Sequence, residues 1–283
     1  MTVVMSKLLL CTDLDRTLLP NGDEAESTTA RARFRQLAQH KQVILAYVTG
    51  RHQQLVEQAI NEYQLPQPDY VIADVGSSIY EVKQQHWILQ QSWEQKISHD
   101  WQGHSADDLQ QVLQPVKNLQ LQEQSKQNTH KLSYYVALES DHQQILSSIQ
   151  QILKQQSIES NLIWSIDTQA NTGLLDVLPA SAGKRQAIEF LMQEFEFDYS
   201  NTIFAGDSGN DICVMSSPIH SVLVANASDE VRAAAIKQAQ QNHQEDALYL
   251  ARGNYLEMNG NYSAGILEGI AHYFPQAEQW FRG

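Results

Sequence analysis

Residues 8–17 read Leu-Leu-Leu-Cys-Thr-Asp-Leu-Asp-Arg-Thr, a short apolar run followed by two carboxylates two positions apart. Four or five apolar residues in succession, stopped by polar ones, suit a strand buried on both faces, as in a parallel sheet. Four further runs share that character: Val43 to Val48, Tyr70 to Ala73, Thr202 to Ala205 and Ser221 to Ala225. Helix-like stretches lie between them. Thr28 to His40 and Leu55 to Tyr63 follow the first two runs, and Ala187 to Phe195 carries an apolar stripe at 187, 188, 191, 192 and 195. Alternating strands and helices predict an α/β domain with right-handed crossovers.

The middle of the chain has another texture. The protein has 283 residues and 36 glutamines, of which 19 fall between Gln84 and Gln156. From about Lys83 to Leu178 the sequence is polar and poor in glycine, with strand-like pieces at Lys131 to Leu138, Leu162 to Ile166 and Leu174 to Leu178. A helical stripe runs through Ile145, Ile149 and Ile152. This predicts a small α+β unit inserted into the α/β domain. Its glutamines are interspersed with Leu, Ile, Trp and Tyr, which argues for a folded surface rather than a disordered tract. The expected division is a core of 1–82 and 179–283 with an inserted cap of 83–178.

Composition removes several functions. The net charge is -14 and no basic block is present, a poor basis for binding phosphate backbones of nucleic acid. No run approaches the roughly 18 apolar residues of a membrane span, and the start of the chain lacks the apolar core of a signal peptide. Two cysteines, Cys11 and Cys213, both among apolar neighbours, read as small buried residues of a reduced, cytoplasmic protein.

Chemistry sits directly after the strands. Asp13 and Asp15 follow the first, and Thr49-Gly50-Arg51 the second. Gly183-Lys184 opens the helix after the insertion, and Gly206-Asp207-Ser208-Gly209-Asn210-Asp211 follows the fourth run. Loops at the carboxyl ends of parallel strands converge on one crevice. Four carboxylates crowded there would repel one another without a cation, and oxygen ligands at that charge density suit Mg2+. Lys184 adds a positive charge, Thr49 and Ser208 offer hydroxyls, and the glycines let backbone N–H groups approach an anion. Cation, lysine and amide donors together equip a site for phosphoryl transfer. One of Asp13 and Asp15 can attack phosphorus while the other moves the proton; spacing alone does not say which.

Asp-x-Asp-x-Thr, Thr-Gly-Arg, Lys and Gly-Asp-Ser-Gly-Asn-Asp, in this order, resemble the four motifs of the haloacid dehalogenase (HAD) superfamily of phosphatases. The resemblance implies a HAD-like doubly wound parallel-sheet core with an inserted α+β cap. It makes Asp13 the nucleophile and Asp15 the general acid/base, has Thr49 bind the phosphoryl group and Lys184 neutralise it, and gives Mg2+ to Asp13, the backbone carbonyl of Asp15 and Asp207, with Asp211 in support. An insertion between the second and third motifs is the position of the Cof-type cap. Four segments resemble sucrose-phosphate phosphatases: Ala73 to Tyr80, Lys131 to Tyr134, Gly206 to Asp211 and Ser263 to His272. Arg16 and His52 depart from that group's usual Asn and Ser. Expected substrate contacts are Thr49, Gly50, Arg51, Asn210 and, more loosely, Ser77, Lys131 and Tyr134. Lys131 and Tyr134 lie three apart on a strand and face opposite sides, so a regular strand turns at most one to the site.

The resemblance implies a sugar-phosphate phosphatase, with sucrose 6-phosphate or a related disaccharide phosphate as substrate and the synthase that makes it as a candidate partner. Other phosphorylated solutes, a phosphomutase and a non-catalytic regulatory domain are the alternatives.

Overall fold

The computed structural model describes residues 7–282 apart from 85, 168 and 169; residues 1–6 and 283 of the expected core lie outside the described residues. In chain order the strands are β1 (Leu8–Thr12), β2 (Val43–Val48), β3 (Tyr70–Ala73), β4 (Ser78–Lys83), β5 (His86–Leu89), β6 (Gln120–Leu121), β7 (Leu132–Val136), β8 (Ser160–Asp167), β9 (Thr172–Pro179), β10 (Thr202–Gly206), β11 (His220–Leu223) and β12 (Leu248–Leu250). The helices are α1 (Ala30–Ala38), α2 (Gln53–Glu62), α3 (Gln91–Ser98), α4 (Ala106–Val112), α5 (His142–Gln155), α6 (Lys184–Glu194), α7 (Ile212–Met215), α8 (Asp229–Gln241) and α9 (Ser263–Tyr273).

Two sheets result. The larger has the order β12-β11-β10-β1-β2-β3-β4-β5, parallel from β12 to β3 and closed at one edge by the antiparallel β4–β5 hairpin. The order reverses at β1, which places the crevice between β1 and its neighbours β2 and β10. Strand β1 explains why the sheet is covered on both faces. Leu8 and Leu10 enter one apolar layer with Phe34 of α1, Val56 of α2 and Ile266 of α9. Leu9 and Cys11 enter the opposite layer with Trp93 and Ile97 of α3, Leu191 of α6 and Met215 of α7. A strand apolar at every position is what two helical layers require.

The smaller sheet, β6-β7-β9-β8, is antiparallel throughout. One face carries α4 and α5 through Leu109, Ile145, Ile149 and Leu153 against Leu132, Tyr134, Val136, Leu175 and Val177. Its chain leaves the larger sheet after β5 and returns at α6, so the smaller unit is an insertion. The larger sheet takes in residues 86–89, beyond the boundary expected at 82, because the hairpin's partly apolar pairing continues the sheet past β4. Among the described residues no helix is long and apolar enough to cross a membrane. Cys11 is buried as expected, whereas Cys213 is exposed, since α7 turns that position away from the apolar layer holding Val214 and Met215.

Candidate active site

Asp13 leaves the end of β1, and its N–H donates to Ala205 O at 2.8 Å, which fixes the loop against β10. Thr49 follows β2 and is held by its N–H on Ile72 O at 2.8 Å. Asp207 follows β10. Asp13, Asp207 and Asp211 are all buried, with one carboxylate oxygen from each within 4.8 Å of the others. Lys184, 1% exposed at the first turn of α6, enters from behind: its Nζ stands 2.6 Å from Asp211 Oδ1 and 3.2 Å from Asp13 Oδ1. The Asp207 and Ser208 N–H groups both donate to Asp211 Oδ2 at 3.1 Å, as does Ser208 Oγ. Asp211 is therefore spoken for by the lysine and its own loop, while Asp13 and Asp207 face forward. Gly206 is required here, because a Cβ on it would sit 2.6 Å from the Asp211 carboxylate.

The cluster is short of positive charge. Burial pushes the Asp13 carboxyl well above the usual carboxylate range, Lys184 pulls it back, and Asp211, Asp207 and Asp15 push it further up. Burial and then Asp211 push Asp207 up to about 7, against a hydrogen bond from Thr17 and the charges of Lys184 and Arg16. Burial would lower Lys184, yet Asp13 and Asp211 hold it above its ordinary value. Three carboxylates share one buried lysine. An oxygen-only donor set with that excess of negative charge fits a hard divalent cation, and Asp13 and Asp207, backed by Asp211, would hold it.

Asp15 is arranged differently. Its carboxylate receives Arg51 Nε at 2.7 Å and a second guanidinium nitrogen at 2.6 Å, a bidentate pair, and Asn21 Nδ2 at 2.7 Å. Burial works to raise its pKa, but the Arg51 bonds and charge, joined by Asn21, bring it below the usual value. The side chain thus points to Arg51, apart from the carboxylate triad, so Asp15 would reach a metal through its carbonyl alone. Arg16, with positive φ, sets its guanidinium 3.5 Å from Asp207 and 3.3 Å from the Asn226 carbonyl; Asn226 Nδ2 in turn holds the Arg16 carbonyl at 2.6 Å.

A cavity of about 330 Å³ opens over these groups. Asp13, Asp15, Thr49, Gly50, Arg51, Asp207 and Asn210 form its floor together with Arg16 and His52, the two departures from the family pattern. The smaller unit forms its roof, through Gln122, Lys126 and Lys131 of its connecting segments and Ser165, Leu174 and Asp176 of its sheet. Lys184 and Asp211 lie directly behind the floor. Two expected contacts fall elsewhere. Tyr134 belongs to the apolar core of the smaller unit, because even-numbered residues of β7 face its helices. Ser77 is 1% exposed, donates to Asp74 O at 3.0 Å and accepts from Asn128 Nδ2 at 3.0 Å, so its hydroxyl is used in structure. Lys131 is the one of the strand pair that reaches the cavity.

Sequence reasoning missed Asn21, Asp74 and the roof residues Gln122, Lys126, Ser165 and Asp176. Asp176 carried a signal, being a single carboxylate between Leu175 and Val177 in an apolar strand. Ser133 Oγ donates to its Oδ1 at 2.5 Å, and among the described residues its second oxygen accepts no hydrogen bond. The others had no local signal, since a polar residue on a strand reads as solvated until the opposing surface is known.

The model of the sucrose-6F-phosphate phosphohydrolase family matches residues 6–274. The chain belongs to that family. Its members are HAD-like phosphoric monoester hydrolases. A HAD-like hydrolase of Nitrosococcus oceani is 49% identical over 274 residues, covering 97% of this chain and 74% of that one. The mannosylfructose-phosphate phosphatase of Agrobacterium fabrum is 25% identical over 266 residues, covering 94% and 96%. The structure of the sucrose-phosphatase of Synechocystis sp. PCC6803 in complex with sucrose and phosphate aligns with a TM-score of 0.76 at 27% identity, over 95% of this chain and 98% of that one. The chain spans about three fifths of the length of the plant sucrose-phosphatases it matches.

Proposed function

We propose that the chain is a Mg2+-dependent phosphatase of a disaccharide phosphate such as sucrose 6-phosphate, acting through an aspartyl-phosphate on Asp13. The observation that carries this reading is Lys184 held between Asp13 and Asp211 beneath a cavity whose roof is polar. Asp13, the Asp15 carbonyl and Asp207, backed by Asp211, would hold the metal, which when bound supplies positive charge beside the phosphoryl oxygens.

The chain's own groups account for the rest. Thr49 and the Gly50 backbone bind the phosphoryl group, with Arg51 and Asn210 at its edge and Lys184 countering the charge on Asp13. An Asp13 oxygen attacks phosphorus in line with the ester oxygen; the new P–O bond forms as the bond to the sugar oxygen breaks. Asp15 gives that oxygen its proton, then takes one from the water that attacks phosphorus and frees Asp13. As the pair stands, Arg51 keeps Asp15 ionised. A phosphate dianion competes for the same guanidinium, and as Arg51 turns to the phosphate the freed Asp15 carboxylate takes up a proton from solvent water in the open cavity. We take the inserted unit as the cap. Lys131 and Asp176 then offer a donor and an acceptor to sugar hydroxyls, whose hydrogen bonds must be replaced on burial.

The test is phosphate release by the native chain and by Asp13→Asn across sucrose 6-phosphate, mannosylfructose phosphate, glucosylglycerol and glucosylglycerate phosphates and hexose monophosphates. The native chain should favour a disaccharide phosphate, and the variant should be folded and slower by at least about 10⁴-fold. Residual turnover near the native rate removes Asp13 from the nucleophile role.

A further inference from the structure

The turn after β3 has a backbone that its sequence disfavours. Asp74, Val75 and Gly76 have φ of 52°, 60° and 98° in succession. A β-branched residue in the left-handed region is a real outlier, and such strain persists only where the surroundings impose it. The surroundings here are four separate parts of the molecule.

First, the turn is hydrogen-bonded to the loop after β2: Asp74 N–H donates to Arg51 O and Val75 N–H to Thr49 O, both at 3.0 Å. Second, it presses on the backbone that introduces Lys184. A Cβ on Gly76 would lie 2.3 Å from the Gly183 carbonyl carbon and 2.7 Å from Lys184 N, so only glycine allows this approach. Third, it grips the inserted unit. Lys131 Nζ stands 3.1 Å from Asp74 Oδ1, with the side chains 5% and 7% exposed, and Asn128 donates to Ser77 Oγ at 3.0 Å. Trp93 Nε1, donating to Gly76 O at 3.2 Å, braces the turn from α3. A buried ion pair between two units adds little net stability against apolar packing, but it is intolerant of misplacement.

We propose that the 74–77 turn couples the seating of the inserted unit to the alignment of the phosphoryl-binding groups, with Asp74 a positioning residue acting on Thr49 and Lys184 through the turn's backbone and sensing the inserted unit through Lys131. This rests on the phosphatase reading for its activity arm only. When Lys131 docks, Asp74 is fixed, and the same rigid turn holds the Thr49 carbonyl and the Gly183-Lys184 backbone. When Lys131 is absent, the strained turn relaxes and both catalytic groups lose their backing. A phosphate ester too small to use the roof therefore still depends on a lysine of the roof.

The experiment compares the native chain with Lys131→Met and with Asp74→Asn/Lys131→Met, which removes both charges and so avoids a stranded buried carboxylate. Acetyl phosphate serves as substrate because it lacks a sugar and needs no protonation of its leaving group. Both variants should lose at least tenfold in kcat for acetyl phosphate, with KM changed less than threefold. Hydrogen exchange in peptides covering 49–51 and 183–187 should quicken in the double variant. If Lys131 is only a sugar contact, acetyl phosphate turnover stays within threefold of native and exchange at 49–51 and 183–187 is unchanged; either result overturns the coupling. A native chain that hydrolyses no phosphomonoester overturns the phosphatase reading instead, and the exchange measurement still decides the coupling.

Discussion

Lys184→Met puts the electrostatic account of the site to a direct test. The lysine is 1% exposed and touches two buried carboxylates, at 2.6 and 3.2 Å. Methionine keeps much of its length and removes its charge, leaving Asp13 and Asp211 without their cation and the partly exposed Arg16, 3.5 Å from Asp207, as the positive charge still in contact with the cluster. Removing one partner of a buried ion pair costs about 3–5 kcal/mol, which for a chain of this order is a melting temperature lower by about 6–20 °C. The cost has a required pH dependence. Asp13 already sits well above the usual carboxylate range, and loss of Lys184, which draws it down, raises it further. The folded variant then holds a proton that the unfolded chain releases, so its stability falls as pH rises. Thermal melts in chelator should show a deficit that grows as pH rises. Replacing a repelling carboxylate, in Lys184→Met/Asp211→Asn, should restore most of it. A deficit below about 1 kcal/mol, the scale of an exposed pair, or one that does not grow with pH, would refute the reasoning.

Two further outcomes follow from the same geometry. Asp207, pushed up to about 7, gives the metal-free protein a stability that is lost as pH rises from about 4 to 7, because the folded carboxyl keeps a proton that the unfolded one has given up. Added Mg2+ needs that carboxylate ionised, so the rise in melting temperature on adding Mg2+ should be slight at about pH 5 and largest above about pH 7; a rise independent of pH contradicts the cluster as the binding site. Asp176→Ala should raise KM for the disaccharide phosphate about tenfold, the scale of one lost hydrogen bond from a charged group, and raise KM for acetyl phosphate by less; equal effects on both would take Asp176 out of sugar recognition.

The core of this molecule was legible because its physics is local. Strands β1, β2, β3 and β10 are apolar at successive positions, and that pattern arises only where both faces are covered. The chemistry-bearing residues fall directly after those strands, so reading the strands also placed Asp13, Thr49 and Asp207 together. The edges were less legible. The β4–β5 hairpin mixes polar and apolar residues, β12 is only the three residues Leu248–Leu250, and β5 took the larger sheet past the expected boundary. Strand periodicity could not say which of Lys131 and Tyr134 looks toward the cavity; Tyr134, within β7, went to the core of the smaller unit, while Lys131 just precedes the strand and lines the cavity. Ser77 was absorbed by a turn whose left-handed backbone at Asp74 and Val75 has no local sequence signature. The pairing of Asp15 with Arg51 is long-range in the same sense, for it exists only once β1 and β2 are side by side.

The central claim is that phosphorus passes through Asp13. Quenching the enzyme during turnover of its sugar phosphate and reducing the mixture with borohydride converts an acyl phosphate to the alcohol, and peptide mass spectrometry locates it. The account predicts homoserine at position 13, dependent on substrate and lost in Lys184→Met. Turnover that continues with Asp13 unmodified, or with the reduced residue at another carboxylate, would contradict it.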